Sequence, residues 1–316
     1  MPMISIIVPC CNEAAALPLF YHETVRVLQS MAVDHELLFI DDGSRDGTLE
    51  EIRALAAKDA HVKYLVFSRN FGKEAAMYAG FCNASGDYVT VMDADLQHPP
   101  ALLPQMYACL SQGNYDSVAM RRANREGEPV VRSWFAHRFY RLINHISDAQ
   151  MVDGATDFRL MTRPMVDAIV AMGEVNRFSK GIFSWVGFRT KWIPAKIPPR
   201  VAGTTKWSFW GLTRYAIDGI VNFSQVPLSI ASFLGVAMTL ASSVMLVAIV
   251  VQKLMHIDYF VDGWASTTCI LLFVGGVQLL CLGIMSQYIA KLYLEAKRRP
   301  HYIAAESNIE GGGRIR

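Results

Sequence analysis

The chain has 316 residues and a net charge of +2, a length that allows about two structural units. So small a charge argues neither for nor against a nucleic-acid partner. The six cysteines form no Cys-x-x-Cys pair and no zinc-spaced cluster with histidine, so they read as reduced thiols rather than a disulfide framework.

Strand and helix patterns alternate from the start of the chain. Ile4–Val8 reads as a buried strand that ends at Val8-Pro9-Cys10-Cys11-Asn12-Glu13, ahead of a helical stretch near Leu17–Met31. The run is too short for a cleavable signal peptide. A second strand, Glu36–Ile40, ends at Asp41-Asp42-Gly43-Ser44-Arg45-Asp46-Gly47-Thr48, before a helix over Thr48–Lys58. Ser44 or Asp46 could cap that helix, but capping does not need both Asp41 and Asp42. Acidic neighbours at one sheet edge repel unless they hold donors or a cation.

After the third strand, Val62–Phe67, comes Ser68-Arg69-Asn70-Phe71-Gly72-Lys73-Glu74, where a glycine and the cation Lys73 stand at a helix start, a favourable place for an anion. A helix near Glu74–Ala84 leads to Tyr88–Met92, the fourth strand. Directly after it stand Asp93-Ala94-Asp95-Leu96-Gln97, then His98 and two prolines that forbid continuation. Two carboxylates and an amide oxygen in this spacing make a hard oxygen set. It suits Mg²⁺ or Mn²⁺ that also holds a diphosphate. A helix near Leu102–Ser111 and a strand at Ser117–Ala119 complete an alternation that predicts a mostly parallel sheet with helices on both faces. The first strand is followed by no Gly-x-Gly-x-x-Gly, which argues against a dinucleotide site and hydride chemistry.

Two segments, near 130–147 and 206–223, interleave arginines or lysines with aromatic residues at helical spacing and read as interfacial helices. Val226–Gln252 and Gly263–Ala290 contain no charged residue, and each is long enough to cross a hydrocarbon core of roughly 30 Å. Residues 1–225 are therefore expected to form the catalytic domain. The two spans, about 226–252 and 264–290, would form a transmembrane hairpin over 226–291, leaving 292–316 as a tail. The connecting loop offers only Lys253, whereas Arg200, Lys206 and Arg214 precede the hairpin and Lys291, Lys297, Arg298 and Arg299 follow it. That asymmetry places both termini in the cytoplasm. The tail beyond Pro300 is expected to be without fixed structure.

Taken in order, Val-Pro-x-x-Asn-Glu, Asp-Asp-Gly-Ser, Ser-Arg-Asn-Phe-Gly-Lys-Glu and Asp-Ala-Asp-Leu-Gln resemble the inverting family-2 glycosyltransferases of the GT-A fold. The later part is similar to the polyprenyl-phosphate branch, and within it to bactoprenol glucosyl transferases. That likeness is carried by Asp157-Phe158-Arg159-Leu160-Met161, Lys180-Gly181, Trp185-Val186-Gly187, Arg200-x-x-Gly203-x-Thr205-Lys206 and the two spans. The chain departs from the pattern at Cys11, where relatives commonly carry an aromatic residue.

The resemblance implies that Pro9, Glu13 and Asp42, with Asp41, Lys73, Asp93 and Ala94, line the nucleotide-sugar site, and that Asp93, Asp95 and Gln97 hold the metal. Asp95 and Asp157 are the catalytic candidates. Asp157 could orient the acceptor, stabilise charge at the anomeric carbon, or merely pair with Arg159. Arg121, Arg132, Arg200 and Lys206 are candidates for holding the lipid phosphate. The implied reaction moves one sugar, glucose from UDP-glucose, onto undecaprenyl phosphate at a bacterial inner membrane. No nucleic acid partner is expected, and a phosphate acceptor needs no strong general base, which leaves open whether Asp157 acts as one. GDP-mannose, UDP-N-acetylglucosamine or a UDP-aminoarabinose derivative are alternative donors, and a silent nucleotide-sugar-binding membrane protein is the alternative class. A processive polymer synthase is disfavoured because no Gln-x-x-Arg-Trp element occurs. Gly275, Gly276 and Gly283 would permit hairpins to pack into a homo-oligomer.

Overall fold

The computed structural model describes residues 1–123, 138, 141, 143–147, 152–195, 217–255 and 264–309. Arg132, Arg200 and Lys206, and most of the two expected interfacial segments, lie outside the described residues.

The expected alternation is present. In chain order come β1 (Met3–Cys10), α1 (Leu17–Gln29), β2 (Asp34–Asp41), α2 (Thr48–Lys58), β3 (Val62–Phe67), α3 (Lys73–Asn83), β4 (Tyr88–Val91), α4 (Leu103–Leu110) and β5 (Ser117–Arg122). Then follow β6 (Ala155–Thr162), α5 (Arg163–Ala171), α6 (Ser179–Trp185), β7 (Thr190–Ala195), α7 (Val226–Leu254), α8 (Trp264–Ala296) and β8 (Ala304–Ser307). The eight strands form one sheet in the order β7-β5-β6-β4-β1-β2-β3-β8. β1–β2, β1–β4, β2–β3 and β5–β7 pair in parallel, while β3–β8, β4–β6 and β5–β6 are antiparallel.

Alternation along β1 divides the core. Ile4, Ile6 and Val8 join Phe20, Leu37 and Phe39 on one face. Ile7 joins Leu38, Ile40 and Leu65 on the other. This is the period of two that a strand covered on both faces imposes. Each such side chain contributes roughly 1.5–3 kcal/mol on full burial. α3 lies so close to β1 that a Cβ at Gly80 would meet Ile7 Cγ2 at 2.2 Å. No larger residue fits there without moving the helix that carries Lys73.

α7 and α8 are long and apolar enough to cross a membrane, and only 6% and 0% of their most apolar windows are buried within the chain. Those figures separate them from soluble core helices, which are mostly buried. Gly235, Gly275, Gly276 and Gly283 have open space beside them. α8 then runs on past the apolar stretch and docks on the sheet domain. Tyr288 Oη donates to Ser224 O at 2.7 Å, Lys291 Nζ bonds Asp218 Oδ1 at 2.7 Å, and Glu295 Oε1 accepts the Val175 N–H at 2.8 Å.

Residues 301–309 correct the expectation of a tail without fixed structure; the rest of the tail lies outside the described residues. Arg298, at φ 47°, turns the chain back, Tyr302 is buried against Phe67 with ring centroids 4.9 Å apart, and β8 pairs with β3. Asn308 Oδ1 accepts the Tyr64 N–H at 2.6 Å, and Glu306 accepts from Tyr64 Oη at 2.8 Å. Ala304-Ala305-Glu306-Ser307 has no strand-like alternation. Its order comes from satisfying the open edge of β3, a requirement the tail's own sequence does not display.

Candidate active site

Because β1 to β4 run in parallel, their carboxyl ends share one edge. β1 lies between β2 and β4, where the winding reverses, and open α/β sheets bind ligands at such a point. The loops after β1 and β2 are laced together there. Asn12, at φ 58°, accepts the Arg45 N–H at 2.8 Å and donates its own N–H to Ser44 Oγ at 2.9 Å. The Glu13 N–H donates to Thr48 Oγ1 at 2.9 Å, and Asp46 Oδ1 accepts the Thr48 N–H at 3.0 Å. The N-cap position of α2 falls to Gly47, with no side-chain cap, so neither Ser44 nor Asp46 takes the capping role considered for it and Asp46 holds the turn before the helix. Pro9 is half-buried in β1, opposite Ile40.

Asp41 and Asp42 are both buried. Asp41 accepts from the Ser44 hydroxyl and from the Ser44 N–H at 3.3 Å. Asp42 accepts the Phe71 N–H at 2.6 Å and the Gly72 N–H at 2.9 Å. Burial pushes both carboxyls above their ordinary pKa, and these hydrogen bonds oppose the rise only in part. The two loops meet at Gly43, whose φ is +66° and whose added Cβ would lie 2.6 Å from the Arg69 carbonyl carbon. Asp42 therefore shapes the loop leading to Lys73. The sequence left its donors to a ligand; the chain's own backbone supplies two of them.

The segment after β4 curls tightly. Leu96 takes φ 59°, and Asp95 Oδ1 accepts the Gln97 N–H at 3.0 Å. Ala94 packs in the core at 2% exposure, so this expected donor-site residue has only its backbone to offer. His98 was not singled out from the sequence. It is buried, stacked on Phe158 at 5.3 Å, and its Nδ1 accepts the Asp93 N–H at 3.1 Å. Acting as acceptor there leaves the proton of neutral His98 on Nε2. Burial lowers its pKa, partly countered by Asp93.

β6 brings Asp157 to the same place. Its partner is not Arg159, which is buried with its guanidinium 3.9 Å from the Phe183 ring centroid. Lys73 Nζ instead lies 2.7 Å from Asp93 Oδ1, 2.9 Å from Asp93 Oδ2 and 3.0 Å from Asp157 Oδ2. Burial works against ionisation of all three groups. The mutual attraction wins, holding Asp157 well below the ordinary carboxylate range, Asp93 below its usual value and the Lys73 ammonium well above its own. The next residue, Glu74, caps the start of α6, accepting the Ser179 N–H at 3.1 Å. This brings Lys180, which also lowers the Asp157 pKa, toward the site. Arg121 is exposed on β5, in register with Ala155, two positions before Asp157.

Among the described residues no three His, Cys, Asp or Glu side chains gather into a metal cage. The Asp93/Asp95/Gln97 set nevertheless fits Mg²⁺ or Mn²⁺, which takes one or two carboxylates and completes its shell with water and substrate phosphates. The site already balances one cation, the Lys73 ammonium. A cleft of about 750 Å³ lies away from these carboxylates, between the sheet domain and the end of α8, lined by Arg69, Arg177, Asp218, Lys291 and Arg299 among others. Convergent chemistry, not cavity size, marks the active site.

This sheet, with acidic groups from β2, the β4 loop and β6 along one edge, has the architecture of a GT-A transferase domain. The chain belongs to glycosyl transferase family 2, whose profile matches residues 5–170. It is 39% identical to the bactoprenol glucosyl transferase of Shigella phage SfII, over 96% of this chain and 98% of that one. It is 43% identical to CsbB of Bacillus subtilis (strain 168), whose name makes it only a provisional glycosyltransferase, over 97% of this chain and 92% of that one. Among solved structures, glucosyl-3-phosphoglycerate synthase of Mycobacterium tuberculosis is 20% identical with a TM-score of 0.47, covering 70% of this chain and 78% of that one. At that level the likeness adds nothing to the family assignment.

Proposed function

We propose that this transferase moves one glucose from UDP-glucose onto undecaprenyl phosphate, with inversion, at the cytoplasmic face of a bacterial inner membrane. The supporting observation is that the 39% identity to a bactoprenol glucosyl transferase spans 96% of the chain. It runs well past the family-2 match at 5–170 and through both apolar helices. A relative sharing only donor chemistry has no reason to match there.

In this reading the nucleoside binds near Pro9, Glu13 and Asp42. Asp93, Asp95 and Gln97 hold Mg²⁺ or Mn²⁺ against the diphosphate. The metal, when bound, neutralises charge developing on the departing UDP. The acceptor is a phosphate monoester with a second pKa of about 6, mostly dianionic near neutral pH. It needs cations to position it rather than a base to activate it. Arg121, Arg132, Arg200 and Lys206 are assigned to that task, and Asp157 to the sugar's environment. One phosphate oxygen attacks the anomeric carbon from the face opposite UDP. The new C–O bond forms as the bond to UDP breaks, so an α-linked donor yields a β-linked lipid phosphate sugar. Basic residues flanking α7 and α8 put both termini in the cytoplasm, where the donor is made.

The test is to incubate the purified full chain with undecaprenyl phosphate and a panel of nucleotide sugars, then weigh the extracted lipid by mass spectrometry. One hexose from UDP-glucose is expected. A ladder of sugars overturns the single-transfer reading, a different preferred sugar overturns glucose, and no product with any donor overturns the reaction.

A further inference from the structure

Lys73 is the first residue of α3, and its ammonium lies where carboxylates from two separate strands converge. It contacts both oxygens of Asp93, at 2.7 and 2.9 Å, and Asp157 Oδ2 at 3.0 Å. The Lys73 side chain is 44% exposed, against 30% for Asp93 and 19% for Asp157. A ligand can therefore approach the bridge from the solvent side. Its base is fixed from behind, because Gly80 seats α3 directly on β1 and the Phe71 and Gly72 N–H groups are anchored on Asp42. The backbone is held, so any change of partner falls to the long side chain.

We propose that Lys73 is a positioning residue that bridges Asp93 and Asp157 in the donor-free enzyme and yields Asp93 when a divalent cation arrives with a nucleotide diphosphate. The proposal rests on the donor-site reading above. A divalent cation that binds Asp93 must take an oxygen now facing the ammonium, and two cations on one carboxylate repel. The cation alone is at a disadvantage, because displacing Lys73 strands a positive charge with fewer partners. A diphosphate removes the disadvantage by offering the displaced ammonium new oxygens. Cation and diphosphate then bind with positive coupling, and the coupling is reciprocal. Lys73 also keeps Asp157 beside Asp93 until the donor is in place.

The measurement is Mn²⁺ affinity of the purified full chain in detergent, by calorimetry or by electron paramagnetic resonance, with and without UDP. In wild type, UDP should tighten Mn²⁺ binding by a factor within the usual coupling range of about 5- to 150-fold. Lys73→Met should bind Mn²⁺ alone more tightly than wild type, by about tenfold, and should show a smaller UDP coupling, the remainder coming from the diphosphate's own ligation of the cation. Lys73→Arg, whose planar guanidinium can also span two carboxylates, should restore weak cation-only binding. Lys73→Gln serves in place of Lys73→Met if the methionine variant does not fold. A lysine with a merely structural role would weaken Mn²⁺ binding when removed, so the direction of change decides. If wild type binds Mn²⁺ with UDP but the neutral variants bind Mn²⁺ alone no better than wild type, the Lys73 proposal fails and the donor site stands. If wild type binds Mn²⁺ neither alone nor with UDP, the donor-site reading fails and the Lys73 role falls with it.

Discussion

Two acidic pairs lie on one sheet edge and are neutralised in opposite ways. Asp41 and Asp42 are buried and spend their oxygens on the Ser44, Phe71 and Gly72 N–H groups of neighbouring loops. Asp93 and Asp157 share one side-chain ammonium that is 44% exposed. Backbone donors cannot leave without unfolding a loop, whereas a lysine can leave by rotating its side chain. The first pair therefore ties the loops at this edge together, and under the proposal above the second is the part that exchanges partners.

The largest effect is expected from the proposed metal set, which shares Asp93 with the exchangeable pair. Asp95→Ala, or chelation with EDTA, should cost at least about 10²–10³ in transfer rate, the usual loss when one donor to transition-state charge is removed. Asp95 is buried and accepts the Gln97 N–H, so the variant should also lose some thermal stability, whereas the EDTA arm removes the metal without that loss. Radiolabelled sugar recovered in the lipid phase reads the rate, and full activity in EDTA would remove the metal from the scheme.

Asp42→Ala tests the scaffold side. It leaves two backbone donors without their charged acceptor, at a cost of about 3 kcal/mol. The loss should appear in thermal unfolding and in UDP affinity together. A variant that lost UDP binding with unchanged stability would place Asp42 among direct ligand contacts instead.

The acceptor side sharpens the contrast at somewhat smaller scale. Lys206→Met keeps the apolar stem and removes the charge. It should lower acceptor kcat/KM about 10- to 150-fold, equivalent to about 1.5–3 kcal/mol, while UDP-glucose affinity barely moves. The reverse pattern would make the 200–206 loop a lid over the donor.

The smallest effect is expected from Glu36, a carboxylate remote from the chemistry. It is 2% exposed and accepts from Lys63 Nζ at 2.8 Å and from the Ser85 N–H at 2.7 Å. Burial pushes its pKa up, but Lys63, Ser5 and Ser85 outweigh burial and hold it below its ordinary 4.5. A carboxyl with a lowered folded pKa stabilises the fold fully above the unfolded value and loses that contribution as pH falls through the folded one. Urea unfolding should therefore show stability declining as pH drops below 4.5. Glu36→Gln should flatten part of that decline. A variant whose acid profile matched wild type would show that Glu36 does not carry it.

Legibility followed the range of the interactions. The helix over Thr48–Lys58 and the strand over Val62–Phe67 have the bounds the sequence predicted, because side-chain periods and turn residues act within a few positions. The order of residues 301–309 is not legible in the sequence because their partners, Tyr64 and Phe67, are far away in the chain and their own residues are poor strand formers. His98 was visible in sequence, but its stacking on Phe158 was not. The resemblance implies a site role for Ala94, but the turn after β4 puts its side chain into the core.

Sequence by itself determined the strand–helix alternation, the acidic segments at the strands' carboxyl ends and the apolar stretches of α7 and α8, since each is encoded in contiguous residues. Tertiary structure alone decided that Asp42 serves the Lys73 loop, that β8 closes the edge of β3, and that Lys73 reaches Asp157, 84 residues away. The physical reason is that an ionised carboxylate in a protein interior takes whichever donor the packing brings within about 3 Å. Local sequence sets the supply of donors but not their meeting place.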